Sequence, residues 1–277
     1  MIGKALALAQ VGAMISLYAG EAALGKLRIK NRDERLRFFS KNVGKWSARA
    51  LKRMNFEIEV FGRDEKMMRE KNFLIISNHL SYLDILVMSS IQPTVFVTSV
   101  DMGEVFFLGT MAELGGSIFI ERRHRGQIDR DLGVMSNALR AGHNVMLYPE
   151  GTSSNGQQLL PFKKSLMMAA VEAECDVLPV CIKYTEIDGE PFGVKNADKV
   201  CWYGDMTFGP HFLGLFGLKR VKVELHFLDP IKVTAETTRN ELADRCHQSI
   251  NSVYTCSKLS NGAMPTVNLE AVETPSA

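Results

Sequence analysis

Seven short runs of β-branched and large apolar residues punctuate the chain, at residues 56–60, 73–77, 95–99, 117–120, 145–148, 177–183 and 221–227. Apolar runs of this length predict strands. Between them the rhythm changes. Ile128, Leu132, Met135 and Leu139 recur at spacings of three and four, which predicts a helix over 127–141 that ends at Gly142. Leu166, Met167, Ala170 and Val171 repeat that rhythm within 162–174, and 240–254 reads as a last helix. Val177-Leu178-Pro179-Val180 is expected to be a strand interrupted by its proline. The alternation predicts an α/β domain, with helices flanking a mostly parallel or mixed sheet. There is no internal repeat and no low-complexity block.

The beginning of the chain follows another pattern. Residues 5–20 carry no charge and include Leu6, Leu8, Val11, Met14, Ile15 and Leu17. That is slightly short for a bilayer crossing, so a helix here either extends past Glu21 or lies partly inserted in one leaflet. Lys4 ahead of an apolar stretch also fits a secretory signal peptide. Against that stand Lys26, Arg28, Lys30, Arg32, Arg35, Arg37, Lys41 and Lys45, opposed only by Asp33 and Glu34. Such a cluster is held on the cytoplasmic side and attracts anionic lipid, although a solvated helix face is the plainer reading of the same charges. The expected organisation is a membrane-associating helical and basic segment over 1–54, a catalytic domain over 55–256 and a disordered, proline-containing tail over 257–277.

Composition narrows the field. With 277 residues and 46% hydrophobic content, the chain is long enough for a sizeable core, and a net charge of +2 gives no argument for a nucleic-acid partner. Cys175, Cys181, Cys201, Cys246 and Cys256 lie far apart and are odd in number, which fits reduced, buried packing residues better than a disulfide framework. His124, His143, His211, His226 and His247 show no metal-ligand spacing, and no nucleotide-binding glycine loop occurs. Neither a metal nor a bound cofactor is implied.

The candidate chemistry begins at Asn78-His79-Leu80-Ser81-Tyr82-Leu83-Asp84, directly after the apolar run at 73–77. An imidazole with a carboxylate in reach activates a hydroxyl, but Ser81-x-x-Asp84 is equally a capping box at a helix start. Three further segments follow in order. Phe119-Ile120-Glu121-Arg122 ends a short β-rich run in a cation, Tyr148-Pro149-Glu150-Gly151-Thr152 breaks an apolar run into a loop, and Leu178-Pro179-Val180 lies in the next strand. With these four blocks in sequence, the chain resembles the lysophosphatidic acid acyltransferase family of glycerolipid acyltransferases, whose motifs read NHxxxxD, FIxR, (F/Y)PEGT and (V/L)PV. The resemblance extends from Asn78 to Val180.

It implies transfer of a fatty acyl group from an acyl thioester, acyl-CoA or acyl-ACP, to the free hydroxyl of a lysolipid. His79 is then the general base and Asp84 its orienting acid. Arg122 becomes an anion clamp, where a surface arginine is the alternative, and Glu150, Gly151 and Thr152 become acceptor-binding residues, where a plain turn is the alternative. Backbone N–H groups of the Glu150-Gly151-Thr152 turn are candidate oxyanion donors. Lys163 and Lys164, opening the helix beyond the loop, add cationic character. Partners would be the two substrates and anionic membrane lipids, with acyl carrier protein as a further candidate. The expected location is the cytoplasmic face of a membrane, a bacterial inner membrane.

One position departs from the pattern. Many lysophosphatidate-directed members have arginine after the Glu-Gly-Thr, whereas Ser153 stands here and the loop continues Ser154-Asn155-Gly156. This loop looks like that of members acting on other lysolipids, including lyso-ornithine lipids, as does Cys201-Trp202-Tyr203-Gly204-Asp205-Met206. That second segment is expected at a rim near the site, or at a membrane interface through Trp202 and Tyr203. Lysophosphatidate ranks first as acceptor and lyso-ornithine lipid second. A hydrolase using His79 to activate water, and a lipid-binding protein needing no base, are the competing classes.

Overall fold

The computed structural model describes residues 2–121 and 125–256. Its strands are β1 (Phe56–Phe61), β2 (Leu74–Ser77), β3 (Val95–Ser99), β4 (Ile118–Ile120), β5 (Val145–Leu147), β6 (Val177–Ile187), β7 (Glu190–Pro191) and β8 (Val221–Phe227). They form one sheet in the order β1-β8-β6-β2-β5-β3-β4, with β7 paired to β6. Pairing is parallel except between β6 and its neighbours β8 and β7, so the sheet is mixed. Strand β2 at the centre is buried at all four residues, as a strand covered on both faces must be, whereas β8 alternates buried and half-buried positions.

The helices are α1 (Ile2–Arg28), α2 (Arg32–Arg53), α3 (Glu65–Glu70), α4 (Leu83–Ile91), α5 (Val100–Glu104), α6 (Phe106–Leu114), α7 (Ile128–Arg140), α8 (Met168–Glu172), α9 (Phe208–Leu215) and α10 (Arg239–Cys256). Two apolar clusters sit on opposite faces of the sheet. One joins α1, α2, α4 and α9 through Val11, Leu51, Val87 and Leu215 to Phe73 and Ile75. The other joins α7, α8 and α10 through Met135, Ala169 and Leu242 to Leu74 and Ile76. The alternating faces of β2 thus divide between the two layers.

All seven expected strands are present, and α7 ends as its spacing predicts, with Gly142 at φ +82°. Two expectations need correction. Pro179 does not interrupt its strand, because its missing N–H falls just ahead of the Val180↔Phe227 pair where the ladder with β8 begins, and its carbonyl accepts from Leu228 N at 3.0 Å. Nor is 162–174 one helix. Lys163 N is bound to Pro149 O at 2.8 Å, which holds 162–164 in the loop, so a 3-10 turn at Ser165–Met167 and the short α8 are all that form.

The N-terminal helix runs unbroken past Glu21. That carboxylate is its sole acid, and it is paired with Lys45 and with Trp46 Nε1 of α2. Asn31 caps α2, accepting from Asp33 N and Glu34 N. One side of α1 buries Ala7, Val11, Tyr18 and Ala22, while Leu6, Leu17, Leu24 and Leu27 stay exposed. Cys175, Cys181, Cys201 and Cys246 are buried free thiols. Burial pushes the Cys181 and Cys246 thiols up to about 12, which makes them packing groups rather than nucleophiles. The proposed tail, 257–277, lies outside the described residues.

Candidate active site

Strand β2 delivers the site. Just beyond its end, the buried Asn78 side chain continues the pairing with β6, since Nδ2 donates to Ile182 O and Oδ1 accepts from Ile182 N, both at 2.9 Å. His79 follows on the turn into α4. Asp84, wholly buried in the first turn of that helix, gathers four donors. Its Oδ2 accepts from His79 Nδ1 at 2.9 Å, Leu80 N at 2.6 Å and Ser81 N at 2.9 Å, and its Oδ1 accepts from the Tyr184 hydroxyl at 3.0 Å. The capping box is therefore half formed. Asp84 reaches back to the turn as a cap does, but Ser81 Oγ has no partner among the described residues. One carboxylate does both jobs weighed in the sequence. With the Nδ1 proton engaged, Nε2 is the nitrogen left to accept a proton.

Two tyrosines flank the pair. The Tyr148 ring stacks on His79, centroids 4.1 Å apart, and fixes the imidazole plane. Burial, together with the charge on Asp84, holds both Tyr148 and Tyr184 well above the ordinary phenol range, so both remain protonated donors. Tyr184 went unseen in the sequence because an inward-facing tyrosine on a strand looks like any core aromatic.

The loop after β5 supports this arrangement from the other side. Glu150 is buried, accepting from His79 N at 2.7 Å and from Leu160 N at 3.0 Å. Burial raises its carboxyl to about 7, against the lowering effect of those two N–H groups. Glu150 thus holds the backbone of His79 in place. Gly151 has φ +72°, and a Cβ there would lie 2.5 Å from Lys163 Nζ, so glycine lets the lysine lie across the loop. The Gly151 N–H is used within the turn, on Tyr148 O at 3.1 Å, and Thr152 beside it is exposed. Ser154 N donates to His79 O at 3.0 Å, and Trp202 N donates to Leu80 O at 2.9 Å. The Ser153 hydroxyl donates to Trp202 O.

His79, Tyr148, Gly151 and Thr152 open onto a cavity of about 470 Å³. Its far walls are apolar and come from the first half of the chain: Val11 and Ile15 of α1, Met54 after α2, Phe96 of β3, and Leu108 of α6. The structure therefore brings together His79, Asp84, Glu150, Gly151 and Thr152. Arg122 lies outside the described residues.

A hydrogen-bonded His–Asp pair thus stands at the end of a central strand, with His79 facing a largely apolar cavity. The acyltransferase family model matches residues 58–183. Over 177 residues, 61% of this chain and 66% of the relative, the sequence is 36% identical to a lyso-ornithine lipid O-acyltransferase of Brucella abortus. It is 31% identical over 215 residues, 75% and 73% of the two chains, to the lyso-ornithine lipid O-acyltransferase of Rhizobium meliloti. Identity is 28% over 180 residues, 65% and 68%, to a 1-acyl-sn-glycerol-3-phosphate acyltransferase of Neisseria gonorrhoeae. The fold matches the crystal structure of the 1-acyl-sn-glycerophosphate acyltransferase of Thermotoga maritima with a TM-score of 0.64 at 18% identity, over 95% and 99% of the chains. The chain belongs to the acyltransferase family. It spans about two thirds of the length of the Brucella relative.

Proposed function

We propose that the protein transfers a fatty acyl group from an acyl thioester to the free hydroxyl of a lysolipid, forming the ester of a membrane lipid. The observation that carries this reading is the His79–Asp84 pair, oriented through Nδ1, opening onto a long apolar cavity. The acceptor hydroxyl gives its proton to His79 Nε2 as its oxygen attacks the thioester carbonyl. Asp84 stabilises the imidazolium, and the Thr152 backbone N–H, at the cavity wall, is the candidate donor to the oxyanion. Collapse of the tetrahedral species breaks the carbon–sulfur bond, and the thiolate takes the proton back from His79. No enzyme nucleophile is needed, because the substrate hydroxyl fills that role.

The acyl chain occupies the cavity between α1, α2 and the sheet, where its burial supplies binding energy. Helix α1, long and apolar enough to cross a membrane, turns exposed leucines outward, and Arg28, Lys30, Arg32, Arg37 and Lys41 are exposed beside it. Together they dock the enzyme on an anionic membrane surface, on the cytoplasmic side. The donor is acyl-CoA or acyl-ACP.

Lyso-ornithine lipid leads as acceptor and lysophosphatidate follows. The Ser153 side chain, where many lysophosphatidate-directed members carry arginine, is committed to Trp202 O, and two of the relatives described above are named for lyso-ornithine lipid. The test offers a radiolabelled acyl thioester with a panel of lysolipids and resolves diacyl product from free fatty acid. Labelled ester product is expected. Fatty acid release without lysolipid consumption would make the protein a hydrolase.

A further inference from the structure

Helix α9 has no charged face, yet half of its eight residues are exposed. From Met206 to Leu218 the chain carries no Asp, Glu, Lys or Arg. A helix without a polar face belongs in a protein core or against lipid. The inner side of α9 meets the first condition. Leu215 is buried in the layer it shares with Val11 of α1, and Phe208 and Phe212 line the cavity that holds His79. The Phe208 ring lies 5.1 Å from that of Tyr82, on the His79 turn, and 5.5 Å from that of Phe107 of α6. The outer side is bare. Gly209, Pro210 and Gly214 are exposed, and Leu213 is 54% exposed. The end of α9 also lies against the beginning of α1, since a Cβ at Gly217 would stand 3.1 Å from Lys4 Nζ. Leu213, about one turn before Gly217, and Leu6 and Leu8, about one turn beyond Lys4, are thus exposed on either side of that junction.

Building on the acyl-transfer reading, we propose that α9 is a second lipid-contacting helix, which holds the wall of the His79 cavity against the membrane beside α1. The substrate argues for lipid as the partner. A lysolipid comes from a bilayer, and its chain must enter a cavity walled in part by α1, α6 and α9. Lipid against the outer sides of these helices keeps that chain out of water on its way in. With eight residues α9 is too short to span a bilayer, so it lies in the plane of the interface. Charge separates its role from that of the basic segment. Asp205 precedes the uncharged run and Lys219 follows it, so α9 brings no net charge to the surface. Its contact is apolar and persists in high salt, whereas the cations beside α1 act through a field that salt screens.

A fluorescent label on Leu213→Cys reads the contact without turnover. Cys175, Cys181, Cys201 and Cys246 are buried, and the wild type treated with the same dye supplies the background. Gln248→Cys, at an exposed position of α10 across the sheet, is the water-facing control. On vesicles of phosphatidylglycerol and phosphatidylcholine, quenching by iodide should fall about fivefold at 213 and stay unchanged at 248, because the ion does not enter hydrocarbon. Protein that floats with the vesicles while its 213 label stays open to iodide would overturn the proposal, as would protein that does not float. Protection that appears without vesicles as protein concentration rises would give the face to a second copy and overturn it too. Leu213→Asp supplies the second reading. In high salt its vesicle binding should fall about tenfold, the size expected for withdrawing one leucine from lipid. Its kcat/KM on a long-chain lysolipid in those vesicles should fall equally, and on a short-chain, water-soluble lysolipid it should stay within about twofold. Equal loss on both acceptors would make Leu213 a structural residue and refute the docking. Should Leu213→Asp fail to fold, the label at 213 decides alone. A wild type that acylates no lysolipid defeats the acyl-transfer reading, and the label still reports whether α9 meets lipid.

Discussion

Replacing Asp84 by asparagine tests the proposed base most directly, because the structure separates its electrical role from its structural one. Asp84→Ala would leave Leu80 N, Ser81 N and the Tyr184 hydroxyl without their acceptor in a wholly buried site. At about 1–3 kcal/mol for each orphaned group, the total approaches the 5–15 kcal/mol that holds a typical domain together, so a dead alanine variant would say little about catalysis. Asparagine avoids this. With its oxygen toward His79 it still receives the three donors now on Oδ2, and its NH₂ faces a Tyr184 hydroxyl that can rotate to accept. What disappears is the negative charge behind the imidazolium. A hydrogen bond to a charged group is worth about 1.5–3 kcal/mol, so kcat should fall by about 10- to 10²-fold. Single-turnover and steady-state acyl transfer, measured beside thermal unfolding, give the answer. An Asp84→Asn protein with wild-type stability and turnover within fivefold of normal would refute the base assignment.

Four other outcomes follow from particular contacts. Tyr184→Phe removes a donor from Asp84 Oδ1 and should lower kcat about tenfold with little change in KM, read from steady-state kinetics. Glu150, raised to about 7, binds a proton in the folded state that the unfolded chain releases. Its contribution to stability is therefore complete below about pH 4.5 and lost as pH rises through 7, by up to about 3 kcal/mol, and urea unfolding across that range should show a slope that Glu150→Gln flattens. Ser153→Arg breaks the hydrogen bond to Trp202 O and adds a cation at the cavity rim, so the kcat/KM ratio of lysophosphatidate to lyso-ornithine lipid should rise about tenfold. Changing Arg28, Arg32, Arg37 and Lys41 to glutamine should weaken binding to anionic vesicles by about 1 kcal/mol per charge in low salt and by less in high salt, measured by flotation.

Much of the fold was readable because it rests on local periodicity. Strands such as 73–77 and 145–148 are short apolar runs that no amphipathic helix would show, and α7 announces both its face and its Gly142 terminus. The misreadings arose where tertiary contacts override local preference. Lys163 and Lys164 belong to a helical pattern, but the bond from Lys163 N to Pro149 O binds that stretch to the active-site loop. Pro179 reads as a break because a sequence does not say where along a strand its neighbour's ladder begins.

At the site, the sequence pointed to candidate groups for the chemistry but not to what holds them. His79 and Asp84 are five residues apart and their roles follow from residue type, whereas Tyr184 reaches Asp84 from one hundred residues away. Glu150 illustrates the same limit. Read as an acceptor-binding residue, it also has each carboxylate oxygen accepting from a backbone N–H group, one of them that of His79, a supporting contact that the sequence does not reveal. Ser153 is the reverse case, a position that looked defined by a missing cation. Its hydroxyl instead anchors the carbonyl of Trp202, and the loop after Glu-Gly-Thr thereby joins the 201–206 segment whose place the sequence left open. Ser153 and Trp202 are thus joined at one wall of the His79 cavity, so a substitution at position 153 moves the 201–206 segment as well as the charge at the rim.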